Sequence, residues 1–183
     1  YLIYFLLIIF IFSTIKYHIR FNHHKKFMEL ANVDFNLAED ASKIDNRLKG
    51  LKWITPHYPN NPVHEMNLLI ETKDFLSEIN EQKIFITDYQ FFSVLLDNKS
   101  ASPNKWYDGL SIPNKQNKYY RIHKDFFFKK LSKDHVKYIY FIGKTKHTMS
   151  FFQEVAFENS CIIFKSVNEL LSEFDLNKCD KIL

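Results

Sequence analysis

Glycine is scarce in this chain, with three residues among 183. Glycine-rich phosphate loops need glycine because the backbone must approach the ligand more closely than a Cβ atom allows. The scarcity of glycine therefore argues against a nucleotide-binding fold of the usual kind. Cysteine is also scarce, since Cys161 and Cys179 are the only two. They either form a disulfide, which would imply an oxidising compartment, or remain unpaired thiols.

The sequence has no recognisable metal or nucleophile motif. His18, His23 and His24 lie near one another, but no cysteine or carboxylate joins them at metal-ligand spacing. No serine or cysteine nucleophile motif is present, and no carboxylate pair stands out as a glycosidase pair. We therefore assign no catalytic residue and no metal ligand to this chain, and we expect it to bind no cofactor of its own.

Charge is absent from residues 1–15, and nearly all of these residues are large and apolar. The first charge is Lys16, and a basic cluster extends from there to Lys26. A signal peptide has the opposite order, with basic residues before the apolar run and a small-residue cleavage site after it. The observed order predicts a transmembrane helix over residues 1–20, a basic juxtamembrane connector over residues 21–50, and the lipid bilayer as a partner.

The predicted span is short, because a helix needs about 20 apolar residues to cross the hydrocarbon core. Since the chain begins with Tyr1 rather than methionine, we expect the helix to be truncated and to be the last of several in a longer protein. Upstream transmembrane helices would then be partners of this chain. The net charge of +4 is modest and is assigned mostly to the basic cluster, so we expect no nucleic-acid partner.

Residues 51–183 are of single-domain size and alternate between strand-like and helix-like runs. The apolar runs 83–87 and 136–142 indicate buried strands, and helices are predicted over residues 119–131 and 167–174. Strands and helices that alternate in this way are typical of a parallel sheet covered by helices. We therefore predict an α/β fold, in which the transmembrane helix precedes a soluble, Rossmann-like three-layer domain with a mainly parallel sheet.

Two of the predicted helices have further features. Asn61 followed by Pro62 predicts a helix N-terminus, with Asn61 as the N-cap and Pro62 at the first helical position. In the helix that precedes the second buried strand, Ile122, Phe126 and Phe127 are predicted to face inward.

Polar side chains are expected at the carboxyl edge of the predicted sheet, where open α/β folds bind ligands. Loops there would bring together aromatic rings, amides and a carboxylate, which suit a sugar or polyol headgroup. The candidate substrate-binding residues are His57, Asn61, Asp88, Tyr89, Gln90, Trp106 and Tyr107. Other roles stay open, since Asp88 could cap the helix that follows it. Trp106 and Tyr107 could pin their loop to the domain or rest at a membrane surface.

Four short stretches resemble one family of membrane enzymes. They are residues 48–56 (LKGLKWITP), 58–62 (YPNNP), 86–91 (ITDYQF) and 102–107 (SPNKWY). They are similar to the soluble C-terminal region of bacterial integral-membrane glycosyltransferases of the GT-C type. That group includes protein mannosyltransferases and the aminoarabinose transferases of lipid A. The likeness covers most of the chain after the apolar helix and includes no catalytic motif.

The resemblance implies a role for the chain within a larger enzyme. The parent protein would use a polyprenyl-phosphate-linked sugar as donor, and its catalytic carboxylate would lie in an external loop outside this chain. The domain would assist substrate binding or assembly on the periplasmic face of the bacterial inner membrane, which agrees with a Cys161–Cys179 disulfide. The positive-inside rule places the domain in the cytoplasm instead, unless the basic cluster faces lipid phosphates. The alternative function is a single-span, membrane-anchored binding module that catalyses nothing.

Overall fold

The structure is a computed structural model. It describes residues 2–23, 30, 33–98, 102–104, 106–107, 111–143, 151–153 and 165–179. The chain divides into two compact units, Tyr1–Asn67 (unit 1) and Leu68–Leu183 (unit 2), and each is described by itself below.

Unit 1 begins with the predicted apolar helix. Helix α1 comprises Leu2–His18 and continues as a π-helical turn over Ile19–His23, and none of its residues is buried. An 18-residue window within the 22 residues from Leu2 to His23 has a mean hydropathy of 2.0. At 1.5 Å per residue the whole stretch from Leu2 to His23 extends about 33 Å, close to the thickness of a bilayer core. The helix is thus long and apolar enough to cross a membrane, a property that signal sequences share.

The rest of unit 1 is built from short turns and one small sheet. Strand β1 (Glu39–Asp40) pairs antiparallel with β2 (Lys52–Trp53). Three 3₁₀ turns begin after Asp34, Asp40 and Asp45, and each carboxylate accepts a hydrogen bond from the backbone N–H two residues later. Aspartate makes such turns because its short side chain reaches its own backbone. Local hydrogen bonds therefore fix these three turns.

Helix α2 comprises Pro62–Ser77, and the division between the two units falls within it. The Asn61 Oδ1 atom accepts a hydrogen bond from the backbone N–H of His64 at 3.1 Å. Pro62 is the first residue of the helix. The backbone N–H at this position has no hydrogen-bond partner within a helix, so proline, which lacks this group, is well suited to it. The predicted N-cap is confirmed.

Unit 2 contains a four-stranded sheet. Its strands are β3 (Lys83–Thr87), β4 (Tyr138–Ile142), β5 (Lys165–Ser166) and β6 (Leu171–Asp175), in the spatial order β3-β4-β6-β5. Strands β3 and β4 are parallel, whereas β4 with β6 and β5 with β6 are antiparallel. The α/β class is confirmed, but the prediction of a mainly parallel, Rossmann-like sheet is wrong.

The error comes from the segment that was predicted as a helix over residues 167–174. Asn168 Oδ1 accepts hydrogen bonds from the backbone N–H groups of Leu170 (2.9 Å) and Leu171 (2.8 Å), which fixes a tight turn. The chain therefore reverses direction and β6 pairs antiparallel with β4, with Phe174 opposite Ile139. A helical crossover, which a parallel strand requires, is replaced by a hairpin.

The core of unit 2 is aromatic. Short helix α3 (Phe92–Leu95) and helix α4 (Tyr120–Lys133) lie between β3 and β4 in the chain. Buried phenylalanines from α4, the strands and residues 151–153 pack edge to face with ring centroids 5.1–6.3 Å apart; they are Phe127, Phe141, Phe151, Phe152 and Phe174. The prediction for α4 is only partly right, because Phe127 is buried whereas Ile122 and Phe126 are 67% and 54% exposed.

Candidate functional site

The carboxyl end of β3 positions the first wall of a cavity in unit 2. Thr87 is buried, and its Oγ1 atom accepts a hydrogen bond from the Tyr89 N–H at 2.8 Å. This bond turns the chain sharply as the strand ends. The Gln90 Nε2 atom then donates to the Thr87 carbonyl oxygen at 2.6 Å. The Gln90 side chain is therefore held in one orientation beside the end of the strand.

The second wall is a loop segment that closes on itself. The Ser102 hydroxyl donates to the carbonyl oxygen of Asn104 at 2.8 Å and also hydrogen-bonds the Tyr107 hydroxyl. The Tyr107 ring packs edge-on against Phe127, with centroids 6.3 Å apart. Burial raises the pKa of Tyr107 to about 12, although its hydrogen bond to Ser102 acts in the opposite direction. Tyr107 is therefore a neutral phenol at physiological pH.

Between these walls lies a cavity of about 450 Å³, within the usual range for small-molecule sites. Its lining comprises Phe85, Thr87, Gln90, Ser93, Ser102, Pro103, Asn104 and Tyr107. All eight of these side chains are uncharged. They include five that carry hydroxyl or amide groups in addition to the phenol of Tyr107. The described part of the wall can thus form hydrogen bonds with a ligand, and it presents no charge.

Some of the polar atoms in this lining are not used by the protein. Within the described part of the chain, Gln90 makes its side-chain bond through nitrogen, which leaves its Oε1 atom available. The Ser93 hydroxyl has no hydrogen bond to any described residue. An acceptor and a hydroxyl are thus present at the wall formed by β3 and α3.

His123, on α4, contacts the loop segment that forms the second wall. Its Nε2 atom lies 3.1 Å from Asn104 Nδ2, and its ring lies between Phe127 and Phe151. Burial lowers the pKa of His123, so the ring is neutral at pH 7. Its Nδ1 atom is buried with no hydrogen-bond partner in the described structure. His123 does not line the cavity, and its role there is to position Asn104.

The structure places the predicted residues of unit 2 in three different environments. Gln90 and Tyr107 line the cavity. Tyr89 is buried and packs on Gly143, whose φ of +95° favours glycine. Asp88 and Trp106 are exposed and do not line the cavity. Asp88 does not cap α3 either, since that helix begins without a side-chain cap.

The other two predicted residues belong to unit 1. Asn61 caps α2, and its side-chain oxygen is therefore engaged in the helix terminus. His57 is exposed, and its backbone N–H donates to Thr55 Oγ1 at 3.3 Å. The proposal that they join the residues after β3 in one site stays a prediction.

A buried carboxylate in unit 1 was missed from the sequence. Glu65 is 0% exposed, and its two oxygens accept hydrogen bonds from Trp53 Nε1 (3.1 Å) and Thr55 Oγ1 (2.9 Å). Both donors lie in the stretch 48–56 that carries the family resemblance. A glutamate in the first turn of a helix is common because of the helix dipole, so its position alone gave no signal. These bonds hold the end of β2 against α2.

The remaining chemical predictions concern the cysteines and metals. Cys179 is disulfide-bonded. Its predicted partner, Cys161, lies outside the described residues, so the pairing stays a prediction. Within the described ranges, no group of three His, Cys, Asp or Glu side chains is placed to hold a metal ion.

Comparisons with known proteins add no family to these observations. No family model, no curated protein and no solved structure matches the chain. The resemblance to GT-C glycosyltransferases therefore stands on the four sequence stretches alone. What the described structure contributes is an apolar helix, an α/β unit with a mixed sheet, and an uncharged polar cavity at the end of β3.

Proposed function

We propose that this chain is a membrane-anchored domain that binds an uncharged, sugar-sized ligand in the cavity between Gln90 and Tyr107. The observation that carries the proposal is the composition of the cavity wall. Hydroxyl and amide groups there can bond a polyol, and the rings of Phe85 and Tyr107 supply apolar surface for the face of a sugar ring. The unused Gln90 Oε1 atom and Ser93 hydroxyl add two ligand contacts.

The same wall disfavours a phosphate group as the part of the ligand that is bound here. Phosphate sites in proteins use arginine, lysine or clustered backbone N–H groups that offset the negative charge. The eight described residues that line this cavity include no cation. Of a lipid-linked sugar, we therefore expect the neutral sugar to enter the cavity and the phosphate to remain outside.

We propose further that the domain lies on the periplasmic side of a bacterial inner membrane. Helix α1 would be the anchor, because the 22-residue helical stretch that it begins is long and apolar enough to cross a bilayer core. The disulfide at Cys179 supports the external side, since disulfides persist in oxidising compartments. The basic residues after α1 would then contact lipid phosphates.

In the first candidate function, the chain is the C-terminal part of a GT-C type glycosyltransferase that uses a polyprenyl-phosphate-linked sugar. The domain would hold the acceptor or donor sugar, while upstream transmembrane helices and loops would perform catalysis. Reading the gene upstream of Tyr1 tests this proposal. Several further spans with an acidic first external loop would support it, and a start codon directly before Tyr1 would contradict it.

The second candidate function is a membrane-anchored binding module without catalysis. It is favoured by the described part of the cavity wall, in which no carboxylate or histidine is placed to act as a general acid or base. The upstream sequence distinguishes the two candidates, because a binding module needs no further spans. Both share the ligand class proposed for the cavity.

Ligand binding is tested with the full chain in lipid nanodiscs. Saturation-transfer NMR with neutral methyl glycosides should give signal transfer from protein to sugar. Gln90→Ala should reduce it, because the substitution removes the wall amide and its free oxygen. Gln116→Ala is the matched control, since Gln116 is exposed and lies outside the cavity lining. Equal transfer in both variants, or none in the parent chain, would contradict the assignment.

A further inference from the structure

Helix α4 exposes an apolar stripe that includes Ile122 and Phe126, two residues that the sequence pattern predicted to be buried. Tyr119, Ile122 and Phe126 are 57%, 67% and 54% exposed. They are three and four residues apart, so they lie on one face at the start of the helix. Large apolar side chains that are grouped and exposed, rather than scattered, mark interaction surfaces.

The same face becomes cationic toward the end of the helix. Lys129 and Lys133 continue the spacing of the stripe, are exposed, and form no ion pair with any described residue. Lys118 lies over the Tyr119 ring, with its Nζ atom 4.8 Å from the centroid. We call these six residues, Lys118, Tyr119, Ile122, Phe126, Lys129 and Lys133, the α4 stripe. It combines apolar side chains with lysines in the way that membrane-surface helices do.

Charge is concentrated in this part of the chain. Residues 111–134 contain seven lysines and arginines against two aspartates, a charge of +5, whereas the whole chain carries +4. One of the two aspartates, Asp134, is paired with Lys130 at 2.6 Å. The surface around α4 is therefore strongly positive. A second copy of the chain would bring the same positive charge against it, whereas an anionic surface would complement it.

We propose that the α4 stripe docks on the surface of a bilayer that contains anionic lipid. The apolar residues would enter the boundary between headgroups and acyl chains, and the lysines would contact lipid phosphates. The inference rests on the membrane anchoring in the proposed function, because α1 in the bilayer keeps α4 at a high effective concentration near lipid. It adds a second, reversible membrane contact to the anchor.

The test uses the full chain in nanodiscs, with Trp106→Phe to reduce the background emission. Phe126→Trp places an indole reporter in the stripe, and brominated acyl chains quench an indole that lies among them. In phosphatidylglycerol nanodiscs we expect loss of the reporter's emission, and little loss in phosphatidylcholine. Lys129→Glu combined with Lys133→Glu should restore the emission. The matched control is Val94→Trp, at an exposed position on α3, which should stay unquenched.

The outcomes separate this inference from the proposed function. If the chain enters nanodiscs but the Phe126→Trp reporter is not quenched in phosphatidylglycerol, the inference is wrong while the anchor stands. Equal quenching in the two lipids, or quenching that persists when Lys129→Glu and Lys133→Glu are combined, would show that the α4 stripe does not dock on an anionic lipid surface. Cross-linking between two stripes would identify a second copy as the occupant instead. Failure of the chain to enter nanodiscs would contradict the membrane anchor itself.

Discussion

Removal of the Glu65 carboxylate should destabilise unit 1 strongly. Glu65 is fully buried and accepts hydrogen bonds from Trp53 and Thr55. Hydrogen bonds to charged groups contribute about 1.5–3 kcal/mol each. Both donors are partly exposed, so water can hydrogen-bond them after the carboxylate is removed. The lower end of that range therefore applies to each hydrogen bond. We therefore expect Glu65→Ala to lower the free energy of unfolding by about 3 kcal/mol.

Glu65→Gln removes the negative charge at this position and keeps the shape of the side chain. The amide keeps the volume, its oxygen can accept from Trp53 Nε1, and its NH₂ group can donate to the Thr55 hydroxyl, which accepts as well as donates. Less than half of the loss seen with alanine is expected, since both hydrogen bonds can still form and only the charge is lost. The exposed Glu71 on the same helix is the control, and Glu71→Ala should change the free energy by less than about 0.5 kcal/mol.

The assay is urea unfolding of the detergent-solubilised full chain, followed by tryptophan fluorescence in a Trp106→Phe background. Trp53 is then the only tryptophan, and its indole N–H is one of the two donors to Glu65. The emission therefore reports the region that the substitution disturbs. An unfolding midpoint for Glu65→Ala that equals that of the Glu71→Ala control would refute the reasoning, because the buried hydrogen bonds would then contribute nothing.

Further predictions concern unit 2. Phe127→Ala should lower the free energy of unfolding by about 3–5 kcal/mol in urea titrations, because it opens a cavity in the aromatic core, whereas truncation of the exposed neighbour Phe126 should have little effect. Burial lowers the pKa of His123, so the unfolded chain binds the proton more tightly. Stability should therefore fall as pH decreases from about 6.5, and His123→Gln should reduce that fall in melting curves at pH 7 and pH 5. Reduction of the disulfide at Cys179 should lower the melting temperature, and Cys179→Ser should remove the effect of reductant. If Cys161 is the partner, closing that loop contributes about 3 kcal/mol.

Local signals in the sequence were sufficient for some elements of the fold. The N-cap at Asn61 follows from a side chain that reaches the backbone of its own helix, and Pro62 marks the first turn without reference to the rest of the chain. Strands β3 and β4 are continuous apolar runs that only a buried position explains. These elements depend on residues that are close together in the sequence, so the local sequence pattern is enough to predict them.

Non-local pairing decided the parts that were predicted wrongly. Leu171 and Phe174 are three residues apart, a spacing that fits a helix face as well as the two buried ends of β6. The pairing of Phe174 with Ile139, across more than 30 residues of chain, selects the strand. On α4, the run of three phenylalanines around Phe127 does not indicate which ring faces the core. Packing against Tyr107, Phe151 and Phe152 makes that choice.

The cavity could be predicted in part. Gln90 and Tyr107 were expected at the edge of the sheet because they follow a strand and lie in a long loop, and both line the cavity. Ser93 on α3 and Ser102 in the loop were not predicted, because a single serine is too common to indicate a site. The role of Ser102 depends on its hydrogen bond to Tyr107. That bond exists only once the loop has closed, and no local pattern encodes it.

The most direct test of the cavity assignment follows the side-chain amide of Gln90 by NMR in nanodiscs that contain the full chain. A neutral methyl glycoside is titrated first, and the phosphate ester of the same sugar is titrated second. The uncharged wall predicts a saturable shift of the Gln90 resonances with the neutral glycoside, and no tighter binding of the phosphate ester. Unchanged Gln90 resonances, or tighter binding of the phosphate ester, would contradict a neutral sugar as the ligand.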